Sequence, residues 1–300
     1  MPEWDAEVVV DETLARALLD EQFPALPVRS LRKLAEGWDN TVWLANEAIV
    51  FRFPRRLIAI AGVEREIQML PELAPLLPSP VPQPVFVGRR TDAFAWPFFG
   101  APLLPGCELA DAGLTDAGRA ALAAPLGRFL RVLHAPELVE RFGDRLPTDP
   151  NRRADMTRRV PMTRQRLDEL RQRGLWDAPS PAWLEEAETL APSSATAVTH
   201  GDLHVRHLLV DDSGALSGVI DWGDIGRSDP AIDLPAYWSV LPRSARRKFV
   251  AAYGPISSAA LLRARVLALF LSATLALYAD TEELPALALE ALAGVERTLS

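Results

Sequence analysis

Three hundred residues leave room for one large domain or two lobes with separate cores, and 49% apolar with 24% charged residues is an ordinary globular composition. A formal net charge of −8 argues against nucleic-acid binding, which wants a basic face. A single cysteine, Cys107, excludes an intrachain disulfide and points to a reducing compartment. The acidic N-terminal stretch carries no apolar signal core, and the most apolar run, Val266 to Tyr278, is too short to span a bilayer. A cytoplasmic protein with no membrane partner is expected.

In chain order, Thr13 to Leu19 reads as a short amphipathic helix and Val28 to Leu34 as a first strand. Glu36 to Thr41 forms a polar turn. Thr41 to Ala45 and Ala48 to Phe53 follow as strands, joined by a tight Asn46-Glu47 turn. Arg55 to Leu73 reads as a helix carrying Glu64 and Glu66. Five prolines between Pro75 and Pro84 require an extended chain. Val85 to Val87 and Ala93 to Phe99 are a further strand pair. Gly and Pro density over 100–106 marks a connector.

Beyond it the pattern turns helical: Leu122 to His134, Met156 to Gln172 and Trp183 to Leu190. Two short strands, Leu208 to Val210 and Gly218 to Ile220, flank the turn Asp211-Asp212-Ser213-Gly214. Helices over Leu234 to Val240, Ala245 to Tyr253, Ala259 to Ala279 and Leu284 to Leu299 complete the chain. The expected fold class is α+β, with a small antiparallel-sheet lobe ahead of a larger, mainly helical one.

The chemistry concentrates in His200 to Asp233. Phosphoryl transfer needs a group that orients the attacking hydroxyl and ligands for metal ions on the phosphate oxygens. In kinases these are an Asp on a loop, a ligand five residues later, and a second Asp just past a hairpin. Here His200-Gly201-Asp202 takes the first place, His207 the second, and Asp221-Trp222-Gly223 the third, with the hairpin between. There is no Walker A run, no metal-binding Cys/His spacing and no G-x-S-x-G element.

This segment resembles the aminoglycoside and macrolide phosphotransferases, whose signature is H-G-D-L-x-x-x-N/H followed by I-D-W or I-D-F. Ser228 to Asp233 matches their D-P-A-x-D run, where Asp229 caps a helix that begins at Pro230. The resemblance implies a bilobal protein-kinase-like fold: residues 1–99 a nucleotide-binding lobe, 100–106 a hinge, and 107–300 a catalytic and substrate-binding lobe. It implies transfer of the γ-phosphate of ATP or GTP, with Mg2+ or Mn2+, to a hydroxyl of a small molecule, an aminoglycoside or macrolide antibiotic. Asp202 becomes the catalytic base or hydroxyl-orienting residue, His207 and Asp221 the metal ligands, and His200 a structural loop residue.

Gly37, Asp39, Asn40 and Thr41 occupy the place of the phosphate-covering loop, though with one glycine. Arg52 stands where a kinase has its strand lysine, within a run similar to the R-I-P-R-R of macrolide phosphotransferases. Glu66, rather than Glu64, is its expected partner. Phe98 and Gly100 fall beside the nucleotide base, which backbone groups would read.

His207 in place of Asn, like Arg52 in place of Lys, draws the reading toward the macrolide and aminoglycoside 2''-phosphotransferase branch. Imidazole is a softer ligand than magnesium prefers, so the same two residues are what a catalytically dead nucleotide-binding protein would show. Choline, homoserine and ketosamine kinases share the catalytic plan and form a further alternative. His134 reads as a core or capping histidine, and the arginine-rich stretch Arg152 to Arg173 as a solvated helix face. His204 and Asp224 read equally well as site or loop residues. Oligomeric state is not encoded in these features.

Overall fold

The structure, a computed structural model, describes residues 6–300. It divides into two compact units, one ending at Leu104 and the other beginning at Pro105. Part of the acidic N-terminal stretch lies outside the described residues.

The first unit contains helix α1 (Glu12–Gln22), strands β1 (Leu31–Glu36), β2 (Asn40–Ala45) and β3 (Ile49–Pro54), helix α2 (Ile60–Leu73), and strands β4 (Phe86–Gly88) and β5 (Phe98–Pro102). The strands form one antiparallel sheet in the order β1-β2-β3-β5-β4. Asp11 caps α1 by accepting from Leu14 N at 2.8 Å. The β2–β3 hairpin turns on Asn46 (φ 54°) and Glu47 (φ 52°), two left-handed residues closed by Ala48 N donating to Ala45 O. That is the primed turn that matches strand twist. Asn46 stabilises it through Oδ1, which accepts from Arg29 N (2.8 Å) and Ser30 N (3.2 Å). Phe51, Phe53, Phe94 and Phe98 fill the core, with Phe53 stacked on Phe98 at 4.6 Å.

Three of the expectations in this unit shift. The strand placed at 93–99 begins only at Phe98. The alternating apolar residues before it are Phe94, buried in the aromatic core, and Trp96 packed beside it. A turn closed by Thr91 N donating to Phe94 O holds them. Residues 100–102, read as connector, complete β5. The proline-rich stretch opens with one 3-10 turn, Ala74–Leu76, before it extends.

The second unit runs through strand β6 (Cys107–Glu108), helices α3 (Asp116–Leu133), α4 (Pro136–Phe142), α5 (Met156–Gln172) and α6 (Trp183–Glu188), and strands β7 (Ala197–Thr199), β8 (Leu208–Val210), β9 (Leu216–Val219) and β10 (Gly226–Ser228). Helices α7 (Pro235–Ser239), α8 (Arg246–Tyr253), α9 (Ser258–Thr281) and α10 (Pro285–Leu299) follow. Thr115, Asp155 and Ser257 cap α3, α5 and α9, while α4, α7 and α10 open on proline.

Helix α9 is longer than its apolar run: 24 residues, long and apolar enough to cross a membrane by length and composition. Val266, Leu269, Ala273 and Ala276 on this helix are spent in the core of the unit. Strands β6, β7 and β10 were not expected.

Two small sheets matter for function. β7 pairs with β10, and β8 lies between β6 and β9. The loop 200–207 leaves β7 and enters β8; the loop 220–225 leaves β9 and enters β10. Both loops bridge the same two sheets, so their relative position is set by two strand pairings.

Candidate active site

Beneath these loops sits Trp222, fully buried, with its ring edge-on to His200 at 4.7 Å and to Phe129 at 6.2 Å. His200 is buried too. Its Nε2–H donates to Ile220 O at 2.9 Å, and its Nδ1 accepts from Asp202 N at 3.2 Å. Burial, reinforced by nearby His207, lowers its pKa despite Asp233 and keeps the ring neutral. His200 therefore ties the first loop to the strand end that carries Asp221.

Gly201 has φ +92°, and a Cβ there would run into the Asp224 carbonyl oxygen. Glycine is required on both counts. Gly201→Ala should destabilise the protein by about 1–3 kcal/mol and displace Asp202; thermal unfolding and kcat on the purified variant check both.

The main-chain N–H groups of His200 and Gly201 donate to one residue, Asp233, at 2.7 and 2.9 Å. Asp233 is fully buried and also accepts from His134 Nε2 at 3.1 Å. His134 Nδ1 in turn accepts from the Tyr253 hydroxyl at 2.9 Å. Burial and the carboxylates of Asp233 and Asp229 raise the Tyr253 pKa, so it stays protonated and able to donate. His134 is thus the C-cap of α3 and a strut of the loop.

Asp202 projects from this scaffold. Its Oδ1 accepts from Arg153 at 3.1 Å, and its Oδ2 faces His204 Nε2 at 3.6 Å. Burial works against its charge, but the Arg153 guanidinium, then His204 and His207, outweigh it and hold the carboxyl well below its usual range. His204 Nδ1 accepts from Arg206 N at 3.3 Å, so in the neutral ring Nε2 carries the proton toward Asp202.

His207 is arranged the other way round. Its Nδ1–H donates to Asp202 O at 2.7 Å, which leaves Nε2 unprotonated, 3.4 Å from Asp221 Oδ2. Burial and His204 lower its pKa and favour that neutral form. A lone pair and a carboxylate oxygen then face each other with no proton between them. That is a donor pair that fits a cation, with the backbone hydrogen bond fixing the tautomer. Asp221 itself is left-handed (φ 64°), a costly conformation for a residue with a side chain. The ligand atoms of Asp202, His204 and His207 also lie within 4.8 Å of one another. In that set, however, His207 Nδ1 and His204 Nε2 carry protons, so the pair His207–Asp221 is the better cation site.

Asp224 is a structural and electrostatic partner here: Asn151 Nδ2 donates to one oxygen at 2.9 Å and Arg153 to the other at 2.8 Å. The arginine-rich stretch is thus not a simple solvated face. Arg153 contacts Asp202, and Arg159 is buried against Phe270, 5.0 Å from its ring. Sequence offered no partner for either; only the fold does.

In the first unit Arg52 NH1 lies 3.0 Å from Glu66 Oε1, with Glu66 fully buried. Glu64 instead pairs with Arg90 at 2.7 Å. Between β1 and β2 the turn is only Gly37-Trp38-Asp39. Gly37 N donates to Asn40 O at 3.0 Å, Asp39 pairs with Arg56 at 3.0 Å, and Thr41 is buried. Gly37 N–H is therefore used to close the turn, and the Thr41 side chain lies below the surface.

Phe98 and Gly100, the expected base-reading positions, lie within the sheet. β5 is flanked by β3 and β4: Gly100 pairs with Phe51 on one side and Phe86 on the other, and Phe98 pairs with Gly88. The Phe98 ring is core, and Gly100 is glycine because a Cβ would enter the Phe51 ring.

An antiparallel five-stranded unit, a helical unit and an Asp-loop followed by an Asp-turn past a hairpin define a kinase-fold phosphotransferase. The phosphotransferase enzyme family matches residues 30–267, and the chain belongs to that family. Among solved structures, the GDP and kanamycin complex of APH(2")-IIia is similar over 95% of this chain and 98% of its own, with a TM-score of 0.69 and 22% identity. Macrolide 2'-phosphotransferase type I is similar over 96% and 98%, with a TM-score of 0.56 and 23% identity. At those identities the likeness carries the fold. The uncharacterized protein YcbJ of Bacillus subtilis (strain 168) is 38% identical over 45 residues, a match spanning 15% of each chain.

Proposed function

We propose that this chain transfers the γ-phosphate of ATP or GTP to a hydroxyl of a small molecule, with aminoglycoside and macrolide antibiotics as the acceptor class, in the cytoplasm. The observation that carries the reading is the position of Asp202. It stands on a loop whose two preceding N–H groups are anchored by a buried carboxylate, and five residues before a histidine aimed at Asp221. Solved structures similar in fold include a kanamycin complex and a macrolide 2'-phosphotransferase, which supports that acceptor class. The dead-protein alternative loses support from the intact Arg52–Glu66 pair and from the strained Asp221, which a chain without a metal-dependent task has no reason to keep.

Each residue has a definable task. Asp202 accepts a hydrogen bond from the acceptor hydroxyl and points its oxygen at phosphorus. Because its pKa is held low, it is a weak base that takes the proton late, which suits a loose, largely dissociative transition state. Arg52, held by Glu66, offers a permanent charge and a bidentate fork to phosphate oxygens. His207 and Asp221 would hold Mg2+ or Mn2+, which when bound neutralises charge on the phosphate oxygens. Asp202, His200 and His207 all keep their neutral-pH protonation state, since each pKa is lowered. kcat/KM is therefore expected to be flat through the neutral range and to fall only below it.

The test is transfer of labelled γ-phosphate from ATP and GTP to a panel of antibiotic and metabolite hydroxyl acceptors. Phosphorylation of a metabolite but no antibiotic would replace the acceptor class; no transfer at all would sink the reading. His207→Asn should move the Mn2+/Mg2+ activity ratio toward Mg2+, since an amide oxygen is the harder ligand. An unchanged ratio would remove His207 from the metal site.

A further inference from the structure

The side chains around Asp202 carry a charge pattern that the family signature does not describe. Asp202 and Asp224 are two carboxylates, both partly open to solvent, bridged by a single nitrogen of Arg153 at 3.1 and 2.8 Å. Asp202, Asp224 and Asp149 raise the pKa of Arg153 despite its burial, so the bridge is permanently charged.

Nor is Arg153 a side chain that happens to lie there. Asp149 accepts from Arg153 N at 2.8 Å and from Ala154 N at 3.1 Å. Arg159 donates to Asn151 O at 3.1 Å, and Arg263 donates to Ala154 O at 3.0 Å. The segment that presents Arg153 is thus fixed from three directions. With Asn151 on its other oxygen, Asp224 has both oxygens engaged. One net negative charge remains among the three groups, and the catalytic Asp202 shares it.

An acceptor with several ammonium groups binds best where several carboxylates are uncompensated, and like charges facing one another at a contact select against it. Here the second carboxylate is already occupied, and the guanidinium stands 3.1 Å from the Asp202 carboxylate. We propose that Arg153 is a specificity-determining residue that restricts the acceptor to hydroxylated molecules carrying at most one positive charge, macrolide-like rather than aminoglycoside-like. The proposal rests on the phosphotransferase reading above and narrows its acceptor class.

The test holds the scaffold constant and varies only charge. Kanamycin, its partly and fully N-acetylated forms, and the monocationic macrolide erythromycin are titrated calorimetrically into the full chain with Mg2+ and a non-hydrolysable nucleotide. kcat and KM are measured in parallel with ATP and GTP. Wild type should bind the acetylated forms and erythromycin more tightly than kanamycin. Arg153→Gln releases one oxygen of Asp224 and should tighten kanamycin about tenfold in the calorimetric titration, roughly 1.4 kcal/mol, and tighten it more than it tightens erythromycin. Arg153→Lys, which keeps the charge, should keep the wild-type order.

The proposal is overturned if wild type favours kanamycin over its acetylated forms. It is equally overturned if Arg153→Gln and Arg153→Lys weaken every acceptor alike, as a merely structural residue would, or if no acceptor binds. Binding in the expected order without transfer to any acceptor would instead defeat the phosphotransferase reading and leave the charge rule standing.

Discussion

Asp202→Asn is expected to lower kcat by about 10²–10⁴-fold while leaving Mg2+–nucleotide affinity within a few-fold. An amide has the size of the carboxylate and keeps one oxygen toward the acceptor hydroxyl, but loses the charge that orients and finally accepts its proton. The fold should tolerate the change. Arg153 retains its 2.8 Å bond to Asp224, and the two N–H groups ahead of Asp202 remain on Asp233. The unfolding midpoint should therefore move little, which separates lost chemistry from lost structure. Single-turnover transfer and nucleotide titration on the same preparation make the comparison; a residual rate above roughly a tenth of wild type would be far outside the general-base range and would reassign the role.

Asp202, His207 and Asp221 were legible in the sequence because their spacing is local: five residues, then a hairpin, then a turn. The Arg52–Glu66 pair was legible because a strand residue and a helix residue follow a known order, and it forms at 3.0 Å. What could not be read depends on distant partners. Arg153 lies in a run of arginines that looks solvated until Asp202 and Asp224, about fifty and seventy residues on, close around it. The two-strand sheet of β7 and β10 joins three-residue segments too short to show a period, yet it sets where both loops begin and end. Phe98 and Gly100 looked available because sequence does not say which strand is central. The order β1-β2-β3-β5-β4 places them inside the sheet, with Gly100 paired on both sides.

The D-P-A-x-D run shows the same limit most sharply, because its two aspartates look alike in sequence and do different work. Asp229 accepts from Ala231 N at 2.8 Å, a local cap, and its other oxygen lies 3.8 Å from Arg263, which already donates to two carbonyls. Asp233, four residues on, holds the N–H groups of His200 and Gly201 and receives His134. Asp229→Ala should thus cost about 1 kcal/mol, the usual loss of a cap. Asp233→Ala leaves two buried main-chain donors without an acceptor, at about 1–3 kcal/mol each. A loss of at least about 2 kcal/mol corresponds to a Tm drop of roughly 4–8 °C. It should also abolish transfer, since Asp202 is positioned by the same two residues. Asp233→Asn should not rescue it, because an amide presents one acceptor and a donor where two backbone donors and an imidazole N–H converge. Thermal and denaturant unfolding of the three variants decides the matter. If Asp229→Ala proves the more destabilising, or Asp233→Asn transfers phosphate at the wild-type rate, Asp233 is not what holds the catalytic loop in place.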